Sequence, residues 1–144
     1  MGLYCAVALN NIEAVRQLLR EGASPTGIFD NVNILFVSLK LMKKFVFVKF
    51  TPLHLAAACE EKNEILKLFL SRKDVDVDFR RPHNNETPLH VACYCGAKQN
   101  IQTLLSFNAS TKSQNSSGNT PKQLATQRGA SNEIIQLLEE GEKV

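Results

Sequence analysis

The 144-residue chain predicts an all-α architecture, a solenoid of stacked helical hairpins rather than a globule around one site. The first reason is a repeated tetrapeptide. Thr-Pro-Leu-His occupies residues 51–54 and 87–90, and a degenerate copy, Thr-Pro-Lys-Gln, begins at Thr120, so the copies start 36 and then 33 residues apart. A fixed period of roughly 33 residues marks a repeat array. The second reason is register. Counting each Thr as position one, position six is Ala56, Ala92 and Ala125, joined by Ala6 when Met1 opens a first repeat. Position fifteen is Val15, Ile65, Ile101 and Ile134; position eighteen is Leu18, Leu68, Leu104 and Leu137; position nineteen is Leu19, Phe69, Leu105 and Leu138. The third is spacing: fifteen, eighteen and nineteen form the i, i+3, i+4 stripe of an amphipathic helix.

Each element of a repeat has a mechanical origin. Thr at the helix start caps free amides with its hydroxyl, worth about 1 kcal/mol. Pro follows at the first helical position, where its missing N–H costs nothing. Leu points inward, and the small Ala lets neighbouring helices approach. Gly96 and Gly129 end the first helix, where a positive φ favours glycine. A second helix follows, and a polar, turn-rich loop returns the chain to the next Thr. The array divides into repeat one (1–33), an insert (34–50), repeat two (51–86), repeat three (87–119) and repeat four, a C-terminal cap (120–144), all within one domain.

The stretches TPLHLAAACEEKNEILKLFLS, TPLHVACYCGAKQNIQTLLSFNAS and SGNTPKQLATQRGASNEIIQLLEEG, preceded by LYCAVALNNIEAVRQLLREGAS, resemble ankyrin repeats. The resemblance spans the whole chain except the insert. It implies L-shaped repeats, each a helix pair with a protruding β-hairpin finger, stacked into a curved array. It also implies that His54 and His90 are buried imidazoles bonded to neighbouring backbone. Partners of such arrays generally dock on the finger tips and the exposed, concave face of the first helices. Carried over by repeat position, the helix residues of that face are Ala58 and Cys59, Tyr94 and Cys95, and Gln127 and Arg128. The finger residues are His83, Asn84 and Glu86, then Ser116, Ser117 and Asn119. Tyr94 stands out because aromatic side chains anchor many interfaces; its alternative is packing over the next repeat's helix.

Departures from the pattern are informative. Repeat one lacks Thr-Pro and has Asn10 where Gly is expected, and repeat two has Glu60 there. Repeat four has Lys122 and Gln123 in place of Leu-His and closes with Glu139, Glu140 and Glu142, as expected of a terminal repeat that faces water. Helix one starts with Leu3, Tyr4 and Cys5 under little polar cover, which predicts either fraying or a longer product.

Residues 34–50, ILFVSLKLMKKFVFVKF, break the period; without them repeat one is 33 residues long. The segment carries four of the chain's eight Phe residues and four lysines with no acid. It is too charged and too short to span a bilayer comfortably. Three readings are open: an extended finger, since residues 45–50 alternate around β-branched residues; a docking or membrane-surface element; and translated non-coding sequence.

Charge and composition exclude several functions. The formal net charge is +3, of which the insert supplies +4, leaving the repeats at −1 without a basic stripe. Nucleic-acid binding, which needs clustered Lys and Arg, is not expected. Cys93 and Cys95 point to different helix faces, and Cys59, Cys95 and His83 lack the loop spacing of a zinc site. Asp74, Asp76 and Asp78 lack the Gly and the later Glu of a calcium loop. No catalytic set is present, so no enzyme activity, cofactor or metal is expected. The four cysteines occupy helix positions rather than loop-bracing spacings, which predicts a reducing, cytoplasmic or nuclear setting. No signal peptide is read at the start, and Ala6 sits where a myristoylation motif needs Ser or Thr. The expected function is a monomeric, non-catalytic module that binds a partner protein. The alternatives are a recognition or regulatory segment of a larger, possibly enzymatic, polypeptide, and membrane-surface recruitment through the insert.

Overall fold

Thr51, Thr87 and Thr120 open their helices as the motif predicts: each is extended, and its hydroxyl accepts the N–H of the residue three further on, with Pro next in line. In this computed structural model, residues 2–27 and 51–143 are described. All three readings of residues 34–50 lie outside the described residues. The helices are α1 (Leu3–Ala8), α2 (Ile12–Arg20), α3 (Pro52–Ala58), α4 (Asn63–Leu70), α5 (Pro88–Cys95), α6 (Lys98–Ser106), α7 (Pro121–Gln127) and α8 (Asn132–Glu142), with a 3₁₀ turn at Glu60–Lys62.

The first helices α1, α3, α5 and α7 pack side by side in one layer; the second helices α2, α4, α6 and α8 form another behind it. The row of small residues explains the first layer's closeness: Ala6, Ala56, Ala92 and Ala125 are all fully buried. The position-fifteen row, Val15, Ile65, Ile101 and Ile134, fills the space between layers. Rather than fraying, α1 seats Leu3, Ala6 and Val7 in the core.

First helices end in three ways. Gly96 takes the left-handed conformation at φ +68°. Asn10, where Gly was missing, adopts the same region at φ +54°, which Asn tolerates better than most residues. Repeat two does neither: Cys59 is extended and the 3₁₀ turn carries the chain into α4. The carbonyls left unmet are served by the next repeat. Asn100, fully buried on α6, donates its amide to the carbonyls of Ala56, Ala57 and Cys59 at 3.1, 2.9 and 2.9 Å. Asn63 in turn donates to the Asn100 carbonyl oxygen at 2.8 Å. Buried Lys62 similarly donates to Ala8 O of repeat one at 3.2 Å.

The fingers correct one expectation. Among the described residues no strand forms; the second and third fingers are closed by turns instead of a β-hairpin ladder. In the second finger the Arg81 N–H donates to Glu86 O at 2.9 Å around Asn85, at φ +56°. In the third, Asn115 N–H donates to Asn119 O at 3.0 Å around Gly118, at φ +78°. Side-chain carbonyls compete for the remaining amides: Asn115 Oδ1 takes the N–H groups of Ser117 and Asn119, both at 3.0 Å. Such local bonds replace ladder pairing.

Repeat four closes the stack with polar groups. Lys122 Nζ lies 3.0 Å from Glu139 and 3.7 Å from Glu142, and Gln123 reaches back to the Thr120 N–H at 2.8 Å.

Candidate functional site

The two histidines fix the fingers to the first-helix layer. His54 Nε2 lies 3.0 Å from Glu86 O, and His90 Nε2 lies 2.9 Å from Asn119 O. A carbonyl only accepts, so Nε2 carries the proton in both rings. Nδ1 then accepts the Thr51 hydroxyl at 2.7 Å in one case and the Thr87 N–H at 3.2 Å in the other. Neutral imidazole satisfies every bond, and burial, aided by the nearby Arg81 charge, pushes the His54 pKa down to about 3. Burial lowers His90 as well. These are structural groups, as the resemblance implies.

Successive fingers are also joined. The Ser116 N–H donates to Asn84 O at 2.8 Å, and Arg80 Nη1 donates to Gln114 O at 2.7 Å. Gln127 of α7 reaches Asn119 Oδ1 at 3.2 Å. Helices and fingers therefore present one continuous, pre-organised face.

On that face the expected residues divide into two groups. Tyr94, 43% exposed, and Arg128, also exposed, meet across repeats three and four, with the guanidinium carbon 3.7 Å from the ring centroid. Tyr94 is thus both exposed and packed on the next repeat, combining the two alternatives. Gln127, His83, Ser116 and Ser117 are exposed, and Cys59, Cys95 and Asn84 are half-buried. Ala58 is a correction: it is buried against Val91 and forms floor, with Tyr4, Cys59 and Cys95 packed around the pair. Glu86 is a second: its carboxylate is held by the buried Arg81 guanidinium at 2.5 Å. Asn119 is a third, committed to His90 and Gln127. Glu86 and Asn119 therefore act as scaffold for the fingers.

Among the described residues no cluster of three or more His, Cys, Asp or Glu is placed to hold a metal. Burial pushes the Cys93 thiol up to about 12, so it packs as a neutral side chain. A hollow of about 520 Å³ lies elsewhere, between the end of α6, the start of the third finger and the end of α8. No described helix is long and apolar enough to cross a membrane.

Stacked helix pairs with pinned fingers define a repeat-built scaffold class, and sequence comparison makes the family specific. The family model described as ankyrin repeats (3 copies) matches residues 53–144, and the chain belongs to that family. Among similar proteins, the human transient receptor potential cation channel subfamily A member 1 is 29% identical over 141 residues, covering 98% of this chain and 11% of that protein. Mouse rabankyrin-5 is 37% identical over 92 residues, covering 56% of this chain and 8% of its own length. The tyrosine-protein kinase HTK16 of Hydra vulgaris is 40% identical over 62 residues, covering 43% of this chain and 8% of that kinase. The chain thus spans about a tenth of the length of these relatives. Ankyrin repeats are generally protein–protein interaction modules, a non-catalytic fold.

Proposed function

We propose that this chain binds a partner protein on the face made by its first helices and finger tips. The observation that carries the reading is the Tyr94–Arg128 pair, an exposed aromatic and a cation held together beside fingers already fixed in place. A preformed surface loses little conformational freedom on binding, and aromatic and Arg side chains dominate interface energetics. The Cys positions support a reducing cytoplasmic or nuclear location, where the chain acts as a monomeric unit.

A second reading follows from the relatives' length: the repeats serve as the recognition or regulatory segment of a longer polypeptide. Binding on the same face is compatible with both. The test is quantitative affinity capture from lysate with wild-type chain, Tyr94→Ala/Arg128→Ala, and Glu64→Ala on the second-helix side. Proteins retained by wild type and Glu64→Ala but lost from the double variant, with helical circular dichroism unchanged, support the reading. Equal capture by all three refutes it.

A further inference from the structure

The binding face has a chemical polarity that specifies its occupant. Toward repeats two and three its floor is apolar: Ala58 and Val91, with Tyr4, Cys59 and Cys95 around them, form a small cluster separate from the main core. Toward repeat four it ends in Tyr94 and Arg128. Helices α1, α3 and α5 contain no acidic residue, and among the described residues no carboxylate forms an ion pair with Arg128. The finger acid Glu86 is matched by Arg81, whereas Arg80 and His83 are exposed beside it. Other acids lie on the second helices and the turns before them, at Glu60, Glu61, Glu64 and Glu133, and on the segment after α4, where Asp74 pairs with Arg72 and Asp78 accepts the Ser110 N–H.

Stacking also prepares Arg128. A guanidinium lying over a ring engages through its flat face, which leaves its in-plane N–H donors for a planar acceptor such as carboxylate. The guanidinium lies 3.7 Å from the Tyr94 ring centroid and Cys95 follows Tyr94 on α5, so the cation sits beside the apolar cluster.

We infer that the face takes an acidic, partly apolar segment of a partner protein, with an apolar side chain against Tyr4, Cys59 and Cys95, above the buried Ala58–Val91 pair, and a carboxylate on Arg128. This rests on the binding face proposed above and assigns its ligand chemistry. An acidic, partly apolar peptide is matched; a basic one meets Arg128, Arg80 and His83.

A displayed random-peptide library is panned on the full chain as wild type, Arg128→Glu and Glu64→Lys. Wild type and Glu64→Lys are expected to enrich peptides that combine Asp or Glu with an apolar residue. Arg128→Glu is expected to shift that preference to Lys or Arg and to weaken the best wild-type peptide, synthesised and titrated by fluorescence anisotropy, by about tenfold or more. Selection of the same acidic peptides by Arg128→Glu overturns the inference. Acid-free peptides whose binding needs Tyr94 overturn it but leave the binding face standing. No enrichment by wild type overturns both. Circular dichroism checks the fold of each variant; if Arg128→Glu unfolds, Arg128→Leu replaces it, and an undiminished acidic preference in that variant is contrary.

Discussion

His54 ties three properties of this chain to one imidazole: a helix cap, a finger anchor and a sensitivity to acid. Its neutral form bonds to Thr51 and Glu86, and its pKa in the folded chain is about 3. The unfolded imidazole titrates near pH ~6.5. Because the folded value is depressed, its contribution is complete above pH ~6.5 and is lost as pH falls from there toward 3, since only the unfolded chain takes up the proton. At pH ~4.5 the loss is on the order of 2–3 kcal/mol for this residue. Repeat four shows how to isolate it: Gln123 there caps Thr120 without an imidazole. His54→Gln should keep the Thr51 cap, lose the bond to Glu86 O at a cost of about 1 kcal/mol at neutral pH, and shrink the acid-induced loss. Urea midpoints at pH 7.5 and 4.5 measure both effects; an unchanged acid loss in the variant would place its source elsewhere.

Between elements, the repeat boundary rather than the repeat is where sequence reading reached its limit. The Thr caps, the buried Ala row and the turn at Gly96 were legible because each depends on residues within one repeat. Asn100 and Lys62 were not, because their partners are carbonyls that another repeat leaves unmet. The missing Gly at Glu60 was the available signal: a first helix without a left-handed cap needs its last carbonyls served from outside. Periodicity also does not encode burial within a row: Leu104 is fully buried while Leu18, Leu68 and Leu137 of the same row are half-exposed. At the candidate site, exposure of Tyr94 and Arg128 was legible from repeat position, but their stacking was not. Two substitutions test this scale. Asn100→Ala removes the donor to three carbonyls at a repeat boundary and should cost about 1–3 kcal/mol by urea denaturation. Gly96→Ala meets no neighbouring atom within 4 Å, so its cost is the positive φ alone, about 1–2 kcal/mol; a neutral result would show that the turn relaxes.

Across the whole molecule, stability is a sum of repeat terms and neighbour-interface terms, while the proposed binding uses the first-helix face that those interfaces hold in line. Leu104 sits in repeat three, bordered on both sides, and is fully buried. Leu104→Ala should cost about 2–5 kcal/mol and turn one cooperative unfolding transition into a broad or divided one; near-wild-type melting by calorimetry would contradict the register of the core. The same interfaces keep Tyr94 over Arg128 and the second finger against the third. The most direct test of the account is amide hydrogen–deuterium exchange of the chain alone and with the protein it captures. The account predicts protection confined to the ends of α5 and α7 and to the finger residues around His83, Asn84, Ser116 and Ser117. Protection centred instead on the second-helix side, around Glu60, Glu64 and Gln99, would contradict it.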